Sequence, residues 1–400
     1  MISDKASAAN RTHIGVFGKM NAGKSSLINA LVRQDVSIVS DHAGTTTDVV
    51  RKAMEIHGIG PCLFLDTAGY DDAGELGEKR SERTRKAGTQ ADLALILYTE
   101  DEDDRIEREW IDAFQKRKTP VIAVIAKSDQ RQEEEMQALK NRIEKSMDIP
   151  VVICSSKTGE GIDALRETMV RIAGERKNTR TITGTLVKEG DSVLLVMPQD
   201  KSAPQGRLIQ PQAQTIRELL EKHCMISCCA AEETAAMIAN MKKAPDLIIT
   251  DSQVFHEVYE VTPPETKLTS FSILFAAFKG DIEYYAKSAE EIFRLNENSK
   301  VLIAECCSHA PLSEDIGRVK IPRMLRKLAG ENLQVDVSAG MDFPDNLNQY
   351  DLIIQCGGCM FNRKYIISRI NQAKEAGVPM TNYGIAIAGL QGILDKVVLP

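Results

Sequence analysis

The 400-residue chain predicts an α/β fold in three successive parts, and three observations carry that expectation. Short apolar runs alternate with amphipathic stretches through the first third, as in a parallel sheet wrapped by helices. The alternation is interrupted by a polar, charged run at Gly174–Arg180 and again at Pro263-Pro264. With 43% hydrophobic and 27% charged residues, the chain has enough apolar material for more than one core.

In the first part, 1–178, the strands expected are His13–Phe17, Cys62–Leu65, Leu93–Tyr98, Val121–Ile125 and Val151–Cys154. Between them Lys24–Val32, Ile106–Lys116, Glu133–Ser146 and Ile162–Ala173 have helical apolar spacing. The acidic run Glu100–Asp104 reads as a solvated loop. The second part, 179–263, reads as strand Ser192–Met197, helix Gln212–His223, strand Ile226–Ala230, helix Glu232–Lys242 and strand Asp246–Thr250. A run mixing apolar and acidic residues, Val254–Val261, closes it. So small a sheet has little to cover both faces. Pairing with a second copy would complete its core, and so would packing on a neighbouring part of the same chain. In the third part, 264–400, Leu268–Ala277 reads as a helix, and Val301–Glu305, Leu333–Val337, Leu352–Gln355 and Met380–Ile387 read as strands.

A net charge of -7 excludes a basic surface that would draw the whole chain to nucleic acid or an anionic membrane. No apolar run reaches the roughly 18 to 20 residues that span a bilayer, and Met1–Thr12 is polar, unlike a signal peptide. A cytoplasmic protein is expected. Nine cysteines, an odd number, argue against a disulfide framework. Cys62 and Cys154 lie in or beside apolar strands. Cys224, Cys228 and Cys229 read as core packing. Cys306, Cys307, Cys356 and Cys359 gather near the C-terminus, where metal chemistry is to be sought.

Gly18–Ser25 reads G-x-x-x-x-G-K-S after a strand and before a helix, the context in which this pattern binds phosphate. Glycine lets backbone N–H groups close around phosphate oxygens, and the helix start adds its dipole. Lys24 would reach the β and γ oxygens, and the Ser25 hydroxyl would ligate magnesium. Asp66-Thr67-Ala68-Gly69, a DxxG sequence at a strand end, would supply a second magnesium contact and a sensor of the γ-phosphate. Gly44-Thr45-Thr46-Thr47-Asp48 is the candidate first switch segment.

Ala126-Lys127-Ser128-Asp129 and Ser155-Ser156-Lys157 each follow an apolar strand and resemble the guanine-reading NKxD and SAK loops of Ras-like GTPases. A carboxylate at Asp129 accepts from guanine N1 and the 2-amino group together. Adenine lacks that donor pair, and an unpaired buried carboxylate gives discrimination of roughly 10⁴-fold. Ala126 stands where the usual asparagine would brace the loop, which implies weaker nucleotide affinity with guanine preference retained. These motifs give a Ras-like P-loop GTPase domain whose catalytic set is Lys24, Thr46, Asp66 and Gly69. Its nucleotide contacts would be Asn21, Ala22, Gly23, Lys24, Ser25, Ser26, Thr45, Thr46, Lys127, Asp129, Ser155, Ser156 and Lys157.

This domain resembles the branch of translation-factor-like GTPases that includes the tRNA-modifying enzyme MnmE, and Era. That resemblance implies Mg-dependent hydrolysis of GTP, with Thr46 meeting the metal. Tyr70 stands in place of the glutamine that orients water in Ras. The resemblance further implies a potassium ion at Asn21, neutralising developing charge as an arginine finger does.

Val301–Glu305 runs into Cys306-Cys307-Ser308-His309, and Leu352–Gln355 runs into Cys356-Gly357-Gly358-Cys359. In an open parallel sheet, residues just past the strand ends share one crevice, so these cysteines could meet there. The Gly-Gly allows a tight turn whose amides would point at the sulfurs. From spacing alone four occupants stay open: an iron–sulfur cluster, a Cys3His zinc, a CxxC redox pair, or inert thiols. Cys306 is expected to be a buried neighbour, pointing away from Cys307.

Over its full length the chain resembles the HydF family of FeFe-hydrogenase maturation GTPases, with Cys307-Ser308-His309 and Cys356-x-x-Cys359 matching the family's cluster motif. The resemblance implies a small α/β dimerisation domain at 179–263 and a C-terminal α/β iron–sulfur domain at 264–400. It implies a 4Fe-4S cluster on Cys307, Cys356 and Cys359. Gln355 departs from the family's usual histidine, so the fourth iron position is open to His309, Glu314 or an outside ligand. The function implied is a GTP-hydrolysing scaffold, forming a homodimer, that carries a transient diiron precursor. Its implied partners are apo FeFe-hydrogenase and the radical-SAM maturases HydE and HydG, with no nucleic acid and no membrane. The alternatives are a tRNA-modification or ribosome-associated GTPase with a structural zinc, and a zinc-stabilised signalling GTPase.

Overall fold

Strand β1 (Thr12–Gly18) is buried from His13 onward because it lies inside a sheet covered on both faces. A computed structural model describes residues 11–33, 50–67, 84–99, 103–174, 180–199, 208–306, 315–340, 343–358 and 361–400. It divides into two compact units, Met1–Asn178 and Thr179–Pro400.

In the first unit β1 is joined by β2 (Val50–Ile56), β3 (Gly60–Asp66), β4 (Leu93–Tyr98), β5 (Val121–Ile125) and β6 (Val151–Ile153), in the order β2-β3-β1-β4-β5-β6. Only β2 runs antiparallel, paired to β3 from Val50↔Asp66 to Ile56↔Gly60. This strand was not expected, because Arg51, Lys52 and Glu55 interrupt its apolar pattern. It is an edge strand, where charge is tolerated and deters further pairing. Helices α1 (Lys24–Arg33) and α4 (Ile162–Gly174) cover one face through Leu27, Ile28, Leu165 and Met169. Helices α2 (Arg105–Lys116) and α3 (Glu133–Met147) cover the other through Ile111, Phe114, Leu139 and Ile143.

The second unit holds two all-parallel sheets. The first is β10-β9-β7-β8, with β7 (Ser192–Val196), β8 (Met225–Cys229), β9 (Leu247–Thr250) and β10 (Lys267–Ser270). Its helices are α5 (Gln210–Glu221), α6 (Thr234–Asn240), α7 (Phe255–Val261) and α8 (Phe271–Lys279). The other is β12-β11-β13-β14, with β11 (Lys300–Ala304), β12 (Gln334–Ser338), β13 (Leu352–Gln355) and β14 (Met380–Asn382). Helices α9 (Ile282–Ser288), α10 (Ile321–Ala329), α11 (Arg363–Glu375) and α12 (Tyr383–Leu390) accompany it. Leu194, Val196 and Ile248 of the middle sheet share one apolar core with Val301, Ile303 and Ile353 of the last. The covering expected from a second copy is thus met on this face within the chain. Helix α8 is apolar on nearly every side because it serves two cores, with Phe271, Leu274 and Phe275 in one and Ile273 and Ala276 in the other.

Three expectations are corrected here. Leu268–Ala277 is not one helix: β10 pairs with β9, and Ser270 then caps α8 by accepting from the Ile273 amide at 3.3 Å. The Pro263-Pro264 boundary therefore falls before the middle sheet's last strand. Met380–Ile387 is a strand only to Asn382, whose side chain caps α12 by accepting from the Gly384 amide at 2.9 Å. Cys228 is exposed, although Cys224 and Cys229 are buried, because β8 is an edge strand with Met225 62% exposed. No helix among the described residues is long and apolar enough to cross a membrane.

Candidate functional site

The phosphate loop turns directly out of β1. Asn21 and Gly23 have φ of 60° and 91°, a left-handed geometry that glycine adopts freely and asparagine tolerates. The Gly23 carbonyl accepts from the Leu27 amide at 2.8 Å and starts α1. Lys24 is buried, its ammonium donating to the carbonyls of Gly18 (2.9 Å) and Lys19 (2.8 Å) across the mouth of the loop. Ala22 is buried beneath it, while Ser25 and Ser26 are exposed at the helix start.

Register brings the second phosphate-side motif to the same place. Strand β3 pairs with β1 through Val16↔Asp66, and Thr67 locks the crossing by donating from Oγ1 to the Val16 carbonyl at 2.7 Å. The Ser25 hydroxyl donates to Asp66 Oδ2 at 2.5 Å, so two oxygen groups suited to a hard cation stand together. Burial pushes the Asp66 carboxyl up from its ordinary value, opposed by the Ser25 hydroxyl and the charges of Lys24 and Lys52. A divalent cation would reverse that trend by stabilising the ionised form. Thr45, Thr46 and Gly69 lie outside the described residues.

The two loops expected to read the base come directly after β5 and β6. Asp129 accepts from the Ser155 hydroxyl on Oδ1 at 2.6 Å and faces Lys157 Nζ at 3.8 Å from Oδ2. Ser155 Oγ in turn accepts from the amides of Lys157 and Thr158, both at 3.2 Å. Ser156 is half-buried between its two neighbours. Lys127 takes a left-handed φ of 59°, and the Ser128 amide donates to the Cys154 carbonyl at 3.2 Å. Ala126 is buried in the core beneath. The backbone bond from Ser128 and the Ser155 hydroxyl therefore brace the loop that asparagine would otherwise hold. Burial pushes the thiols of Cys62 and Cys154 up to about 12, which makes both inert packing groups.

The cysteine site forms where β11 and β13 end side by side, Ala304 opposite Gln355. The Cys306 amide donates to Cys356 Sγ at 3.1 Å. Cys306 Sγ, on a 2% exposed side chain, accepts from Gln355 Nε2 at 2.9 Å and from Arg369 Nη1 at 3.4 Å. The Cys356 thiol beside it, followed by burial, pushes the Cys306 thiol well up, with Arg369 and Gln355 opposing. Cys306 is buried as expected, but it is more than a neighbour, since its amide touches a predicted ligand. Gly358 has φ 58°, and its carbonyl accepts from the Phe361 amide at 3.0 Å. The described amide on Cys356 comes from Cys306, not from the glycines. Lys279 reaches this turn from α8, donating to the carbonyls of Gly358 and Phe361, each at 3.0 Å.

Cys307, His309, Glu314 and Cys359 lie outside the described residues. Among the described residues no group of three or more His, Cys, Asp and Glu side chains is placed to hold a metal ion. What the described part offers is a soft sulfur, Cys356, supplied with a hydrogen bond and lying near a buried guanidinium. That donor set fits a thiolate-bound, anionic group. Sequence reasoning overlooked Arg369 and Lys279. The signal for Arg369 was an arginine on the apolar stripe of α11, which otherwise buries Tyr365, Ile366, Ile370 and Ala373.

Comparison with known proteins assigns each part. Residues 13–127 match the 50S ribosome-binding GTPase model. Residues 182–280 match the hydrogen maturase F dimerization domain, and 283–400 match the hydrogen maturase F tetramerization domain. Among individual proteins, GTPase Der of Wolinella succinogenes is 36% identical over 182 residues, covering 43% of this chain and 38% of its own. The tRNA modification GTPase MnmE of Nitrosomonas europaea is 36% identical over 162 residues, covering 40% of this chain and 34% of its own. The chain thus spans little more than a third of the length of the curated relatives it matches. Of solved structures, the G domain of the T. maritima FeoB iron transporter aligns at 22% identity and TM-score 0.32, covering 41% of this chain and 99% of that one. Era in complex with MgGDPNP and 16S ribosomal RNA aligns at 20% identity and TM-score 0.35, covering 55% and 92%. A GTPase domain followed in order by both maturase domains is the architecture of hydrogen maturase F, and the chain belongs to that family.

Proposed function

We propose that this protein is a GTP-hydrolysing scaffold of FeFe-hydrogenase maturation, carrying a 4Fe-4S cluster on Cys307, Cys356 and Cys359. The observation that carries the proposal is the succession of the GTPase and two maturase domains on one chain, with Cys356 directly past the end of β13 in the last sheet. In this reading Ser25, Asp66 and Thr46 would hold Mg²⁺, which would supply positive charge toward the γ-phosphate. Lys24 then moves from loop carbonyls to phosphate oxygens, supplying charge where it develops in the transition state. Gly69 senses the γ-phosphate, and hydrolysis switches the contacts the chain makes. Asn21 contributes to a potassium site, so turnover in potassium exceeds that in sodium; equal rates in the two salts would remove that ion.

At the other site, an iron–sulfur group would supply an exchangeable coordination position, with His309, Glu314 or an outside ligand as the fourth. The Cys306 amide and the Gln355–Arg369 pair would stabilise its sulfur-rich charge. A transient diiron precursor is the cargo, received from the radical-SAM maturases HydE and HydG and passed to apo FeFe-hydrogenase. The chain acts as a homodimer or larger assembly, in line with the descriptions of its two maturase domains.

Iron, sulfide and zinc analysis of anaerobically reconstituted protein tests the proposal. Iron and sulfide in equal amounts, with broad absorbance near ~400 nm, are expected, and Cys356→Ser should lower iron per chain several-fold. Zinc without sulfide would overturn it and favour a structural metal site.

A further inference from the structure

Helix α11 places a guanidinium where every neighbouring buried position is apolar or aromatic. Arg369 is 1% exposed, and none of its hydrogen-bond partners among the described residues is a carboxylate. Nη2 donates to the Gly340 carbonyl at 2.7 Å, and Nη1 approaches the Glu305 carbonyl at 3.4 Å, Gln355 Oε1 at 3.3 Å and Cys306 Sγ at 3.4 Å. The Phe343 and Tyr365 rings lie 4.8 and 4.9 Å from its central carbon. Its Nε has no partner among the described residues. The Glu305 carboxylate, which could have answered the charge, is instead bound by Arg318 at 2.9 Å. A buried cation left with neutral partners is costly unless an anion compensates it.

The sulfurs are where an anionic group would answer that charge. Arg369 touches Cys306 Sγ, and the Cys306 amide touches Cys356 Sγ, so the guanidinium stands one residue from a proposed ligand. A second buried cation, Lys279, holds the Gly358 and Phe361 carbonyls on either side of Cys359 in sequence.

We propose that Arg369 is the counter-charge of an anionic metal–thiolate group seated at Cys356, and that it raises that group's reduction potential. This rests on the iron–sulfur reading above. Three thiolates around an oxidised 4Fe-4S core leave a net negative charge, and adding one electron increases it. A fixed guanidinium close by stabilises the reduced form more than the oxidised form. Arg369 is a positioning and tuning residue, not a ligand.

The test is an EPR-monitored redox titration of the full, anaerobically reconstituted chain with Arg369→Met, Arg369→Gln and Arg369→Lys. At the wild-type midpoint, the two neutral variants should show a reduced-to-oxidised ratio about tenfold lower, a downward shift of about 59 mV for one electron. Arg369→Lys, which keeps the charge, should stay close to wild type. If Arg369→Met does not fold, Arg369→Gln decides, because it retains a donor toward the Gly340 and Glu305 carbonyls. Neutral variants that hold a cluster at the wild-type potential overturn the role of Arg369 and leave the iron–sulfur reading standing. Wild-type protein that binds no iron and sulfide overturns both.

Discussion

Asp129 shows how much a single carboxylate can decide. One oxygen is held by the Ser155 hydroxyl at 2.6 Å and the other faces Lys157 at 3.8 Å, so the protein's own side chains orient the group. A prepositioned acceptor reads a donor pair with little ordering cost. Asp129→Asn turns that acceptor edge partly into a donor, and competition assays should show preference moving from guanine to xanthine nucleotides by about 100-fold or more. Unchanged preference for GTP would mean that another group reads the base. The same residue scale explains why Ala126 is compatible with the loop. Its place in the core is apolar, and bracing passes to the Ser128 amide and to Ser155.

At the scale of elements, the cysteine site depends on a turn. Gly358 follows β13 with φ 58°, and a methyl group there would meet Ile366 Cδ1 of α11 at 2.5 Å. Both effects oppose any other residue. The left-handed conformation alone costs about 1–2 kcal/mol for a non-glycine residue, and the contact requires the buried Ile366 side chain to shift. Gly358→Ala should lower the melting temperature by a few degrees and reduce the iron retained after reconstitution. Retention of wild-type iron at an unchanged melting temperature would show that the turn geometry is not needed. Element boundaries also explain where sequence reading failed. Strand β2 carries Arg51, Lys52 and Glu55 because it is an edge, and β10 and β14 are short strands running straight into apolar helices, so periodicity merges each pair into one element.

For the molecule as a whole, the middle sheet has two unequal edges. The backbone at β10 is met by the C-terminal tail, the Val398 amide donating to the Leu268 carbonyl at 2.9 Å. The opposite edge, β8, has no strand beside it among the described residues, and Met225 and Cys228 are exposed on it. An open apolar edge invites pairing with another chain, so the proposed homodimer should use β8. Met225→Lys places a charge on that edge and should shift the assembly toward smaller species in analytical ultracentrifugation at micromolar concentration. A distribution identical to wild type would send the interface elsewhere.

The phosphate loop, Lys24 and Asp129, the residue proposed to read guanine, are legible from residue order alone, because each motif is a few consecutive residues whose backbone turn and side chains act together. The same locality exposed Cys356-Gly357-Gly358-Cys359 at the end of an apolar strand. Tertiary structure alone paired Ser25 with Asp66, set the Cys306 amide on Cys356 and brought Arg369 and Lys279 to the cysteine turn. These partners lie tens of residues apart, and strand register and helix packing govern which of them meet. Periodicity marks that a position is buried, but it does not say which neighbour waits there. The guanidinium on the buried stripe of α11 makes the difference plain: in sequence it interrupts a pattern, and in the fold it faces sulfur.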